Sequence, residues 1–261
     1  MTANYSIDIS LVSHGHGLLV MQALESLASS LDGSCVTVRV LLTLNVPEPH
    51  LEQMVQNKAW PFTLQLIENS VPLGFGANHN QAFSHCAAPW FAVVNPDIFW
   101  PAEDASFWTA LGQDAWPKSV GVVCPAQYDA DGKRQDFTRV LMTPWELIGR
   151  VFRRWFGAAP SNVAASVEQA DWVNGACLFF RSEAFSELKG FDERYFMYCE
   201  DTDICLRLQL AGWSMQGADW AVMHDARRNT GRSLRHLGWH LRSLWRLWAS
   251  DSFWDFVRRV R

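Results

Sequence analysis

The chain lacks the usual marks of several protein classes. Its six cysteines, at positions 35, 86, 124, 177, 199 and 205, form no C-x-x-C pair. They read as reduced thiols of a cytoplasmic protein, several in apolar runs where Cys behaves as a small hydrophobe, and a disulfide-dependent scaffold is excluded. There is no run of 18 apolar residues, so no membrane-spanning helix is expected. The opening MTANYSIDISLVSHG has no basic region followed by an apolar stretch and a cleavage site, so no secretory signal is expected either. Internal repeats and low-complexity linkers are missing. Only 19% of residues are charged and the net charge is −5, which argues against nucleic-acid binding by the molecule as a whole. What is present is a chain of 261 residues, 49% hydrophobic, with 14 tryptophans. That is enough for a sizeable core, as one large domain or two small ones, and it excludes a disordered or collagen-like chain.

Charge is segregated. Residues 226–261 carry nine Arg and two Asp, a local charge of +7, so the other 225 residues sum to −12. An acidic body with a basic, Trp-rich tail suggests two tasks in one molecule.

Hydrophobic patterning organises the first 125 or so residues as alternating strands and helices. Strands are expected at Ile7–Ser13, Val36–Asn45, Thr63–Asn69, Trp90–Val94 and Val120–Pro125, with helices at Leu18–Leu31, His50–Lys58 and about Asn78–Cys86. This alternation implies parallel strands joined by crossover helices, and such sheets bind ligands at the carboxyl ends of their strands. Polar clusters stand at those ends: Ser13-His14, Asn45, Asn69 and Asn95-Pro96-Asp97. Any one of them is explained by turn formation, whereas four in register read as a site. Beyond Asp129 the alternation weakens. A hairpin tip is expected at Asp131-Gly132, a helix over Leu141–Phe156 bearing Arg150, Arg153 and Arg154, and a strand at Ala176–Arg181. An aromatic loop, GFDERYFMY at 190–198, leads to a helix from Glu200 to Ala211 closed by Gly212, and a short strand Ala221–Met223 ends at His224.

Four constellations carry chemistry. Asp97, after an apolar strand, is placed to hold a divalent cation that neutralises phosphate oxygens, although Pro-Asp is also a common turn. Glu200-Asp201-x-Asp203 opens a helix, where the dipole alone favours acids; the functional reading has one carboxylate accept a proton from an attacking hydroxyl. His224, as a neutral imidazole, would complete an oxygen-rich metal site with Asp97. The segment Asn69-x4-Gly74-Phe75-Gly76-Ala77-Asn78-His79-Asn80 matches neither the Rossmann nor the P-loop pattern, yet glycines leading to a helix can face a phosphate or a sugar.

The order of these pieces resembles the inverting, GT-A-type family 2 glycosyltransferases, in the branch that includes bacterial rhamnosyltransferases. The likeness spans about residues 6–225. It rests on the VSHG turn, NSVPLGFGANHNQAF, VVNPD, DWVNGACLFFRSEAFSELKGFDERYFMYCEDTDICLRLQLAGW and His224. The resemblance implies a GT-A α/β fold: a mixed, mostly parallel central sheet flanked by helices, with a catalytic domain over 1–225 and an amphipathic helical tail over 226–261. It implies a nucleotide-diphosphate sugar donor, with Ser13 and His14 beside the nucleotide and Asn69, Gly74 and Asn78 lining its pocket. Asn95-Pro96-Asp97 would replace the family's D-x-D motif, with Asp97 and His224 holding Mg2+ or Mn2+. Asn45 stands where an acid often contacts base and ribose. Asp201, preceded by Glu200, would be the base, and Trp172, Asn174 and Gly175 would sit where donor sugar and acceptor meet. The implied reaction is a single inverting displacement. The branch suggests dTDP-rhamnose as donor and a lipid-linked cell-surface glycan as acceptor.

Two other functions compete with this one. A non-catalytic sugar-nucleotide-binding scaffold would not need the intact Glu200-Asp201 and His224. A sugar nucleotidyltransferase usually needs a basic residue in its first glycine-rich loop, and VSHGHG has none. In the tail, Leu234, Leu237, Leu241, Leu244, Trp245 and Trp248 fall in an arc of about 100° on a helical wheel, with Arg232, Arg235, Arg242 and Arg246 on another side. Such a helix suits the anionic cytoplasmic face of the inner membrane. The same stripe would equally pack on the enzyme body or on a second subunit of a homo-oligomer. Trp145 and residues 150–156 would extend the surface. No nucleic-acid motif accompanies these arginines.

Overall fold

The computed structural model describes residues 5–102, 105–155, 162–226 and 234–260. Residue 156 and Arg232, part of the basic surface expected above, lie outside them. The elements run in chain order as β1 (Ile7–Ser13), α1 (Gly17–Ser30), β2 (Val38–Leu44), α2 (Pro49–Gln56), β3 (Thr63–Glu68), α3 (Phe75–Phe83), β4 (Trp90–Val94), β5 (Ile98–Phe99), α4 (Ser106–Gly112) and β6 (Val120–Tyr128). They continue with β7 (Thr138–Arg139), α5 (Pro144–Trp155), β8 (Trp172–Val173), β9 (Cys177–Arg181), α6 (Ser182–Glu187), α7 (Glu200–Leu210), β10 (Ser214–His224), α8 (Leu234–Trp248) and α9 (Asp251–Val260).

Eight strands form one sheet in the order β3-β2-β1-β4-β9-β6-β10-β5, and β7 pairs with β8 separately. The pairs β1–β2, β1–β4, β2–β3 and β6–β10 are parallel, whereas β9 runs antiparallel to both β4 and β6. The sheet is therefore mixed and mostly parallel. Its inner strands are buried on both faces, which is why VRVLLTL and WFAVV read as continuous apolar runs and not as alternating ones. One face packs on Leu24 and Leu27 of α1, Leu51 of α2 and Trp108 of α4. The other packs on Ala82 of α3, Phe185 of α6 and Ile204 and Leu208 of α7. In β1, Asp8 is fully buried and accepts from Nε and Nη2 of Arg39 and from the N–H groups of Ala87 and Ala88.

The structure corrects several element boundaries. Helix α3 begins at Phe75, three residues earlier than expected, because the Phe75 N–H donates to the Phe196 carbonyl and the buried Asn78 amide donates back to Gly74 O. Only glycine fits at 74, since a Cβ there would lie 2.6 Å from the Phe196 carbonyl oxygen. Strand β10 spans eleven residues where three were expected; a register shift between Gly217 and Ala221 interrupts its pattern. The helical tail expected over 226–261 contains a second helix, α9, separate from α8. Its Phe253 and Phe256 are fully buried with Tyr195, Leu206 and Leu247, and each contributes on the order of 1.5–3 kcal/mol.

The apolar arc of α8 is divided. Leu244 and Trp248 pack on the cluster beneath α9, while Leu237, Leu241 and Trp245 stay exposed. Exposed apolar side chains on α5 (Trp145, Ile148 and Phe152) lie on a helix tethered to the end of α8 by Trp248 Nε1–H donating to Met142 O. Among the described residues no helix is long and apolar enough to cross a membrane. All six cysteines are free, and burial raises the thiol pKa of Cys124, Cys177, Cys199 and Cys205.

Candidate active site

The carboxyl ends of the strands carry three groups of polar side chains. The first lies beyond β1, β2 and β3. The Asn45 amide contacts His14 Nδ1 at 3.2 Å and donates to Leu73 O, while its oxygen accepts from Asn69 Nδ2 and from Leu73 N–H. Asn69 also donates to Asn78 Oδ1 at 2.7 Å, and Asn78 donates to Leu73 O and Gly74 O. Three asparagines thus tie the Gly74 turn to two strand ends. Ser13 lies beneath this group, buried, with its hydroxyl accepting from His16 N–H at 3.3 Å.

The second group joins β4, β6 and β10. His224 Nε2 faces Asp97 Oδ1 at 3.7 Å. His224 Nδ1 lies 3.1 Å from Gln127 Oε1, and an amide oxygen can only accept, so Nδ1 carries a hydrogen and Nε2 is the ring nitrogen turned to Asp97. Gln127 and Asn174 pair reciprocally through both amides, at 2.8 and 3.0 Å. Asp97 Oδ1 is buried and has no hydrogen-bond partner among the described residues. Burial pushes the Asp97 carboxyl up, and His224 offsets part of that shift. No set of three or more His, Cys, Asp and Glu side chains gathers as a ligand cage among the described residues. The fit to a divalent ion is instead a carboxylate oxygen without a hydrogen-bond partner among the described residues beside an imidazole nitrogen, which ligates when neutral.

The third group opens α7. Tyr198 and Cys199 both take left-handed φ, +72° and +66°, which costs non-glycine residues of order 1–3 kcal/mol each and turns the chain sharply into Glu200-Asp201. Asp201 Oδ2 accepts from Gly175 N–H at 3.3 Å and Oδ1 from Thr202 N–H at 2.7 Å. Burial raises the Asp201 pKa against those two donors. Glu200 is raised well above the usual range by burial and then by Asp201, and its Oε2 has no partner among the described residues. Asp203, the third acid of the run, has a different role: it accepts from Arg207 Nε and Ser252 Oγ and so ties α7 to α9.

The turn 174–176 links the last two groups. Asn174 pairs with Gln127, Gly175 N–H donates to Asp201, and Ala176 O accepts from Asn95 N–H at 2.8 Å. Beside it Trp172 is half-buried, packed between two apolar clusters. A cleft of about 940 Å³ passes over His14, Asn45, Asn78, Asn95 and Asp97. Its far wall is formed by Phe196, Met197 and Tyr198 and by Arg235, His236 and Trp239 of α8. Ser13, Trp172, Asn174, Asp201 and His224 are not among the residues that line it.

Sequence reasoning missed Gln127, Tyr198 and the α8 wall. Gln127 sits at the carboxyl end of a strand, the position that pointed to the other residues, but the expected strand stopped at Pro125. The α8 residues were assigned to a surface stripe, and no local pattern shows which side of a helix meets a cleft.

The chain is similar to several known proteins. A family profile described as glycosyl transferase family group 2 matches residues 119–261, more than half of the chain. An N-acetylglucosaminyl-diphospho-decaprenol L-rhamnosyltransferase of Mycobacterium tuberculosis is 30% identical over 202 residues, or 69% of this chain. The match covers 65% of that protein, so the chain spans just under two thirds of its length. Rhamnosyltransferase WbbL of Escherichia coli is 28% identical over 257 residues, 93% of this chain and 92% of WbbL. Among solved structures, the mannosyltransferase PcManGT of Pyrobaculum calidifontis, in complex with GDP-Man and Mn2+, superposes over 100% of this chain and 66% of its own, with a TM-score of 0.62 and 16% identity. S. aureus TarS with UDP-GlcNAc superposes over 96% of this chain and 71% of its own, with a TM-score of 0.65 and 11% identity. Likeness at such low identity establishes the architecture, and the profile establishes kinship: the chain has the GT-A fold and belongs to glycosyl transferase family group 2.

Proposed function

We propose that this protein is an inverting glycosyltransferase, with residues 1–225 as its catalytic domain and 226–261 as a basic helical tail docked on it. The observation that carries the reading is the turn 174–176, which holds the Asp97–His224 pair and the Asp201 carboxylate around one short stretch of backbone. A reaction that expels a diphosphate while a hydroxyl attacks needs those two functions side by side. Mg2+ or Mn2+ held by Asp97 and His224 would supply charge neutralisation to the departing nucleoside diphosphate. Two protein ligands suit an ion whose other positions go to phosphate oxygens and water.

The chain's own groups do the rest. Asp201 accepts the proton of the acceptor hydroxyl at one carboxylate oxygen, and burial makes it a stronger base than a solvated Asp. The N–H groups of Gly175 and Thr202 aim that carboxylate. His14, Asn45, Asn69 and Asn78 shape the nucleotide end, with Asn95 at the floor of the cleft. Attack from the face opposite the leaving diphosphate inverts the anomeric centre. Rhamnose from dTDP-rhamnose is the donor we favour, because the two relatives described above carry rhamnosyltransferase names. The acceptor we favour is a polyprenyl-diphosphate-linked glycan, in keeping with the decaprenyl diphosphate in the name of one of them.

A lipid-linked acceptor also accounts for the surface. Trp145, Ile148 and Phe152 on α5 and Leu237, Leu241 and Trp245 on α8 are exposed, and Arg150, Arg153, Arg242 and Arg246 share those helices. Exposed apolar side chains beside arginines match an anionic bilayer surface. Truncating the tail would remove the buried Phe253 and Phe256, so the appropriate test is Leu241→Glu with Trp245→Glu. That variant is expected to stay in solution when the parent protein sediments with anionic liposomes; equal sedimentation refutes membrane docking.

For the chemistry, Asp201→Asn is the deciding variant. It is expected to bind nucleotide sugar and Mn2+ like the parent protein in calorimetry and to transfer sugar about 10²–10⁴-fold more slowly. Turnover near the parent rate would remove Asp201 from its role.

A further inference from the structure

We propose that Arg235, braced by Trp239 beside His236, forms a diphosphate-binding subsite on the α8 wall of the cleft. The inference rests on the reading above and deepens it by adding a ligand-binding role for the tail. At about 100° per residue, Arg235, His236, Trp239 and Ser243 share one side of α8, and Leu237, Leu241 and Trp245 lie on another. The first side meets the cleft and the loop before α7. Trp239 packs against Phe196 with ring centroids 5.0 Å apart, the Tyr198 hydroxyl and His236 Nδ1 are 2.9 Å apart, and buried Ser243 donates to Met197 O at 2.8 Å. The helix is thus locked to the cleft rim by three contacts.

On that locked side the Arg235 guanidinium lies 4.7 Å above the Trp239 ring. Stacking orients the planar fork and limits the entropy it would lose on binding an oxyanion. No carboxylate pairs with Arg235 among the described residues. The same lining carries the half-buried Asp97, and among the described residues it contains no lysine and no other arginine. A multiply charged diphosphate in this cleft gains from a permanent positive charge in the lining beyond that of an ion at Asp97, and among the described residues Arg235 supplies it. A guanidinium fork matches two phosphate oxygens at once.

Both the nucleotide donor and a polyprenyl-linked acceptor bring a diphosphate, so the test has two arms. Binding of dTDP with Mn2+, and of a short-chain prenyl diphosphate, is measured by calorimetry for the parent protein, Arg235→Gln, Arg235→Lys and Trp239→Leu. Melting temperatures confirm that the exposed Arg235 can be replaced without unfolding. Arg235→Gln is expected to weaken one of the two ligands by about tenfold or more. Arg235→Lys is expected to recover part of that loss, and Trp239→Leu to weaken the same ligand. A loss confined to dTDP assigns the subsite to the donor, and a loss confined to the prenyl diphosphate assigns it to the acceptor. Affinities within twofold of the parent in both arms overturn the proposal. The transferase reading fails on a separate result, when the parent protein binds these diphosphates but turns over no nucleotide sugar.

Discussion

The asparagine group and the carboxylate groups lie at the same edge of one sheet but are held in opposite ways. Asn45, Asn69 and Asn78 bond one another and the Leu73-Gly74 backbone, with Asn69 Oδ1 alone of their amide atoms lacking a partner among the described residues, so that end of the cleft is largely built before any ligand arrives. Asp97 and Glu200 each keep a buried oxygen without a hydrogen-bond partner among the described residues, and burial raises both carboxyl groups. Neutral amides can be buried at little net cost once their hydrogen bonds close. Carboxylates buried without such closure weaken the fold and are retained where a ligand or a proton supplies the missing partner. The first group behaves as scaffold and the second as machinery.

Two substitutions would break or sharpen that contrast. The larger effect is expected from Asn78→Ala, which strips three hydrogen bonds from a fully buried position and removes one of the two acceptors of Asn69 Nδ2, leaving Asn45 Oδ1. A loss of about 2–4 kcal/mol is expected, read as a fall in melting temperature of several degrees. An unchanged melting temperature would show that the group is not scaffold. The smaller effect has the opposite sign. Glu200→Gln is expected to raise stability by about 1 kcal/mol at about pH 8, measured by chemical denaturation. Because the folded state raises the Glu200 pKa, it holds that proton more tightly than the unfolded chain does. The parent protein therefore loses stability as pH climbs above the ordinary glutamate value near 4.3, and the two proteins converge below it. A variant less stable than the parent at high pH would place Glu200 among the scaffold residues.

The comparison also marks what the sequence could convey. The strands β1 and β4 were legible to the residue because continuous apolar runs bounded by turn formers leave few alternatives. The strand-end clusters were legible because parallel topology implies where such ends converge. Helix α3 was misplaced because its start depends on the Phe196 carbonyl, more than a hundred residues away. Strand β10 was clipped by its own irregularity. Gln127 and Arg235 carry no local signal: a glutamine becomes a tautomer-setting partner only when a histidine from another strand arrives, and an arginine becomes a cleft residue only when its helix is turned towards the cleft. Tertiary contacts set both, and one chain read alone does not display them.

Ser243 joins two levels of organisation that the linear chain separates. Its hydroxyl grips the main chain at Met197, two residues ahead of the reversed bend at Cys199, while Trp245 on the same rod points outward. Whatever seats the rod therefore also bears on the bend that leads into Asp201, the proton acceptor proposed above. On the proposed membrane docking and the proposed base, anchorage and reactivity would rise and fall together, and a molecule adrift from the bilayer would be a slower catalyst without any change in its side chains.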